Sequence, residues 1–205
     1  MSKDWSKIPS DSVIAATVAG VESRGISVIL VADRAEALAK VKSMIPAGAE
    51  IMTGSSITLD EIGLIRHLTS DEHGWNYLAT KIGEETDIHK RSELRRQSDT
   101  AEYFLGSVNA IAQTGELVAA DATGSRVGAY PFAAKKVVIV AGVNKIAADL
   151  AEAMLRVRDY VFSLENERAN EAYGRGSIFG KWVIIERELN PERMTLILVK
   201  EELGY

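Results

Sequence analysis

The sequence predicts an α/β protein whose mainly parallel sheet is flanked by helices. Three observations carry that prediction. Residues 26–32 (ISVILVA) and 136–142 (KVVIVAG) are short apolar runs with hardly a polar interruption, the pattern of strands covered on both faces. Segments of helical periodicity separate the strand-like runs, and parallel strands need such crossovers. Within 205 residues there is no repeat or low-complexity linker, so 1–205 reads as one α/β domain.

The elements follow in order. Residues 10–24 form a helix, because Ser10 or Asp11 supplies a side-chain oxygen to cap first-turn N–H groups and Gly25 can end it. After the strand at 26–32, Asp33 caps a second helix that Pro46 closes. A short strand at 49–52 leads through Gly54, Ser55 and Ser56 into a helix at 57–68 carrying Leu59, Ile62, Leu64 and Ile65. Residues 71–100 are helical and charged, with Asp87 and Arg91, and Glu93 and Arg96, at pairing distance along a helix. They read as a solvated surface, or as a basic rim that attracts an anionic substrate. Residues 108–120 alternate around Thr114-Gly115, as a β-hairpin does. The strand at 136–142 precedes a long helix from Lys145 to about 172, with Asn144 as its N-cap. The closing segment, 181–205, holds strand-like runs at 181–186 and 194–200 around an Asn190-Pro191 turn. They form a hairpin or belong to different parts of a mixed sheet.

Composition removes several classes of function. Lys and Arg total 24 against 29 Asp and Glu, a net charge of −5, so nothing favours nucleic acid or an anionic membrane as partner. The apolar runs are too short to cross a bilayer. The polar stretch 1–10 has no export-signal pattern, which makes the cytoplasm the expected location. With no cysteine, the chain has no disulfide, thiol nucleophile, thiolate zinc site or cysteine-bound iron–sulfur cluster. His67, His73 and His89 lack metal-ligand spacing, so neither metal nor cofactor is expected.

Four segments could carry chemistry. Gly54, Ser55, Ser56 and Thr58 sit where a strand turns into a helix, which is either an anion-binding turn or merely an N-cap. Glu61, one turn on, is a candidate proton-transfer group or a helix-dipole partner. Asn109, Thr114, Gly115 and Glu116 interrupt an apolar strand pair, either as a pocket rim with Glu116 as base or as a solvated turn. Asp121 and Arg126 flank a flexible turn, where the arginine can hold a carboxylate or phosphate, or simply pair with the aspartate. Asn144 and Lys145 follow a buried strand, and open parallel sheets gather ligands at such carboxyl ends.

Taken together and in order, these blocks resemble a known family. They are GSSITLDEIG at 54–63, LRRQ at 94–97, YFLGSVNAI at 103–111, ELV at 116–118, DATGSRV at 121–127, KVVIVAGVNKI at 136–146 and LVKEELGY at 198–205. The resemblance, from about residue 11 onward, is to the lactate-utilisation proteins, the LUD domain. It implies a fold similar to the ribose-5-phosphate isomerase, glucosamine-6-phosphate deaminase and CoA-transferase group. It also implies a link to oxidation of lactate to pyruvate beside iron–sulfur partner proteins. Relatives often carry a cysteine-rich segment after the long helix; here residues 166–180 contain no cysteine. The expected function is therefore binding of an anionic small molecule in lactate or related organic-acid utilisation. The alternatives are a non-catalytic accessory subunit of an iron–sulfur complex, and an isomerase or transferase for a sugar phosphate or CoA ester. A homodimer is compatible with the fold.

Overall fold

A computed structural model describes residues 3–70 and 73–205. Met1 and Ser2 of the polar N-terminal stretch, and Asp71 and Glu72 at the start of the charged segment, lie outside the described residues. The first elements form as their caps dictate. Helix α1 (Asp11–Ser23) starts at Ser10, whose hydroxyl accepts from the Val13 N–H. Gly25, at φ +78°, turns the chain into β1 (Ser27–Val31). The Asp33 carboxylate accepts from the Ala35 and Glu36 N–H groups at 2.9 Å and starts α2 (Arg34–Met44). Strand β2 (Glu50–Thr53) follows.

The helix expected at 57–68 divides into α3 (Ile57–Glu61) and α4 (Leu64–Leu68), because Gly63 adopts φ +81° between them. The charged segment yields β3 (Asn76–Tyr77), α5 (Leu78–Glu84) and α6 (Ile88–Gln97). Asp87 does not pair with Arg91. It caps α6 through the His89 and Lys90 N–H groups, while Arg91 donates to the Glu85 carbonyl. Glu93 and Arg96 do form an ion pair.

Beyond it lie β4 (Tyr103–Gly106), β5 (Ala110–Ala112), β6 (Leu117–Asp121), the short α7 (Ser125–Gly128) and β7 (Lys136–Gly142). The expected hairpin is present, as β5 and β6 pair antiparallel. The helix expected from Lys145 starts later. Residues 143–145 make a tight turn and β8 (Ile146–Ala147) pairs with Ile111 and Ala112. That pairing uses the backbone a helix would need. The N-cap of α8 (Leu150–Arg156) is therefore Asp149, which accepts from the Glu152 N–H at 2.8 Å, and not Asn144. A widened, π-helical segment at 157–161 joins α8 to α9 (Phe162–Tyr173), and β9 (Lys181–Ile185) and β10 (Met194–Val199) end the chain.

Six strands form an all-parallel sheet in the order β1-β10-β7-β4-β2-β3, and four form a mixed sheet in the order β8-β5-β6-β9. The two closing strands are thus not a hairpin. β10 is interior to the large sheet and β9 lies at the edge of the small one. Alternate residues of β7 and β10 serve different apolar layers. Val137, Ile139, Met194 and Leu196 join Leu117 and Ala119 between the sheets, whereas Val138, Val140, Ile197 and Val199 meet α2, α3 and α4. A third layer packs the other face of the small sheet against Ala153 and Val157. This double coverage explains the uninterrupted apolar run at 136–142. The run at 26–32 is covered less completely than expected. β1 is an edge strand whose Val28 packs toward the layer between the sheets and whose Ile29 and Val31 pack toward the other, while Leu30 is 46% exposed.

Candidate functional site

Strands β7, β4 and β2 are neighbours, and the sheet is parallel, so their carboxyl ends open on one side. The turns that leave them line a cavity of about 760 Å³, through residues 53–58 after β2, 107–109 after β4 and Lys145 after β7. Residues 121–126 beyond β6 and 175–179 beyond α9 form further walls, with Arg95, Glu165, Arg168 and Tyr205. Of the candidates read from sequence, the fold gathers Gly54, Ser55, Ser56, Thr58, Asn109, Asp121, Arg126 and Lys145 around this space.

Lys145 is 2% exposed. Its Nζ lies 2.9 Å from Thr58 Oγ1, 3.1 Å from Ser107 Oγ and 3.1 Å from the Val108 carbonyl. Burial first, and then the positive charges of Arg156 and Arg126, hold its pKa well below the ordinary lysine range, against a weaker opposing pull from Glu61. Arg156 is itself fully buried and donates to the Asn109 carbonyl at 2.6 Å; burial lowers its pKa to about 10.

The wall is cationic. Arg95, Arg126, Arg168 and Arg175 face the cavity with Lys145, against the carboxylates of Asp121 and Glu165. Arg126 is anchored through a 2.6 Å bond from Nη2 to the Ala120 carbonyl, and Asp121 Oδ2 accepts from its backbone N–H at 2.9 Å. A Cβ on Gly54 would stand 3.2 Å from Arg126 Cδ, so glycine lets this turn lie against the arginine. Glu165 accepts both guanidinium N–H groups of Arg168, at 2.7 and 2.8 Å, and the Tyr205 hydroxyl at 2.7 Å. Burial opposes its ionisation, but those hydrogen bonds prevail and its pKa falls below the usual carboxylate value. Beside this wall, partial burial and the charge of Asp121 raise the Asp99 carboxyl to about 6, and Arg95 resists the rise.

Other candidates are placed elsewhere. Glu61 faces a separate shallow cleft and accepts from the Gly204 N–H at 2.7 Å. Glu116 lies 2.6 Å from Arg24 Nη2 and accepts from the Thr114 hydroxyl, and Gly115 packs on Gly20 of α1. None of these lines the cavity. Asn144 is buried behind it, accepting from the Leu203 N–H and donating to the Gly204 carbonyl, each at 3.1 Å. Ser107, Glu165, Arg168, Arg175 and Tyr205 also line the cavity and are not among the candidates above. In the sequence Ser107 is an ordinary small residue inside a motif, and Glu165 and Arg168 look like any i, i+3 surface pair.

The parallel sheet, with its cavity at the strand ends, defines an α/β protein of the kind that holds ligands at its carboxyl edge. The comparisons narrow this. The sequence model of the LUD domain matches residues 14–199, so the chain belongs to the LUD-domain family. A crystal structure of a DUF162 family protein from Deinococcus radiodurans is similar in fold, with a TM-score of 0.54 and 13% identity, covering 93% of this chain and 99% of that one. No curated protein matches. Residues 166–180 offer no thiolate, and among the described residues no three His, Asp or Glu side chains group as a metal site. The stretch thus does not fit a cysteine-ligated cluster. No helix among the described residues is long and apolar enough to cross a membrane.

Proposed function

We propose that this LUD-domain protein binds a small organic anion of lactate or related acid metabolism in the cavity at the ends of β2, β4 and β7. The observation that carries the reading is a concentration of charge. The chain as a whole is −5, yet this cavity is walled by four arginines and Lys145 against two carboxylates. Guanidinium groups suit carboxylates because they donate two parallel hydrogen bonds. The hydroxyls of Ser55, Ser56, Thr58 and Ser107 add neutral donors. A cavity of this size suits a metabolite. Were lactate oxidation the reaction, the electrons would go to another protein or cofactor, because the chain has no thiolate to bind a cluster.

Thermal unfolding with L-lactate, pyruvate, phosphate, sugar phosphates and neutral analogues tests the reading. A ligand at about a hundred times its Kd stabilises by about 2.7 kcal/mol. Carboxylates should raise Tm, and the gain should vanish in Arg126→Gln. Equal stabilisation by neutral analogues, or a gain that survives this substitution, would refute it.

A further inference from the structure

We propose that Lys145 is a nucleophilic amine that condenses with the carbonyl of a small 2-oxo acid held in the cavity, forming an imine. The inference rests on the anion-binding reading and narrows its ligand from organic anions to those that also carry a carbonyl.

The first support is position. Lys145 follows the central strand β7, is nearly sealed from bulk solvent, and is still part of the cavity lining. A reactant reaches it through the cavity. The second is its company. Among the described residues Nζ has no carboxylate partner; its neighbours are the Thr58 and Ser107 hydroxyls and one carbonyl. A buried ammonium kept for structure is ordinarily matched by a carboxylate. A hydroxyl can donate as well as accept, so this cage also suits a neutral amine. The third is charge. Arg126 and the fully buried Arg156 repel a proton on Nζ, and burial works in the same direction. A lysine so placed keeps the lone pair that nucleophilic attack requires. The wall supplies the rest of the recognition, with Arg126 for a carboxylate and the amine for the adjacent carbonyl.

The step balances without an oxidant. The Nζ lone pair adds to the carbonyl carbon, and the carbonyl π pair moves to oxygen, which takes a proton as nitrogen loses one. The carbinolamine then releases that oxygen as water, and C=N replaces C=O. The Thr58 and Ser107 hydroxyls stand beside Nζ to pass these protons.

Borohydride trapping tests it. The full chain is incubated with pyruvate and sodium borohydride, digested and mapped by mass spectrometry, and Tm is measured in parallel with pyruvate and with L-lactate. The expected result is an increment of pyruvate less one oxygen on Lys145, absent in Lys145→Met. Stabilisation by both acids without an adduct on Lys145 would overturn the imine and leave the anion site standing. No stabilisation and no adduct would overturn both. If Lys145→Met does not fold, the wild-type map decides. Adduct on Lys145 in excess over exposed Lys90 and Lys181 supports the proposal, and an even spread refutes it.

Discussion

Lys145 and Asp99 are two side chains near the cavity whose surroundings oppose their ordinary charge. The folded pKa of Lys145 is depressed, so the folded state holds fewer protons than the unfolded chain at every pH between that value and the ordinary lysine pKa. Folding stability then falls as pH falls through this window, by up to about 1.4 kcal/mol per pH unit. Lys145→Met deletes the titration and three hydrogen bonds. The lost bonds give a constant cost, whereas the gain grows as pH drops from 10 toward 7. Urea unfolding across that range should show the variant gaining on wild type at lower pH; parallel curves would mean an unperturbed lysine. Asp99 behaves in the opposite sense. Its folded pKa is raised to about 6 and its Oδ1 is buried without a hydrogen-bond partner. The protonated form contributes stability that is full below the unfolded value and lost as pH rises through about 6. Asp99→Asn should therefore raise Tm at pH 8 and leave it nearly unchanged at pH 4.

The first elements were legible from the caps and breakers that stood in the sequence. Ser10, Asp33 and Gly25 act as their residue types require. The misreadings arose where tertiary pairing outweighed local pattern. Residues 146–147 carry helical periodicity onward, yet they pair with β5. The run at 103–106 carries no strand signal of its own beyond its motif, and it is a fully buried strand between β2 and β7. Gly63 separates α3 from α4 at φ +81°, and a Cβ there would meet only Leu38, at 3.7 Å. Gly63→Ala should consequently cost about 1 kcal/mol through backbone strain alone, read as a lower urea midpoint with an unchanged m-value. Asn144 fixes the segment at 203–205 with two side-chain hydrogen bonds. Removing it should cost about 2 kcal/mol and, because Tyr205 lines the cavity, should also weaken any rise in Tm that carboxylates produce.

At the scale of the molecule, one ion-pair cluster joins parts that are distant in sequence. Arg24, at the end of α1, reaches Glu116, Glu186 and the Thr114 carbonyl. This fastens the first helix to the small sheet. Glu116→Gln should lower Tm while leaving any stabilisation by pyruvate or lactate intact; a loss of ligand response would return Glu116 to the site. From its residues the sequence determined the α/β class, the crossover pattern, the charge balance and the absence of thiolate chemistry, since each follows from local periodicity or from counting. It also marked where β2 and β7 end, because a break from an apolar run into polar residues marks a strand end, but it read the residues after β7 as the start of a helix. Only the tertiary structure decided which candidates share a cavity. Sheet order is not a local property. By setting β7, β4 and β2 side by side, it brings Lys145 to Thr58 and Ser107 across intervals of 87 and 38 residues, while Glu61 and Glu116, equally plausible in the sequence, are held away from the cavity.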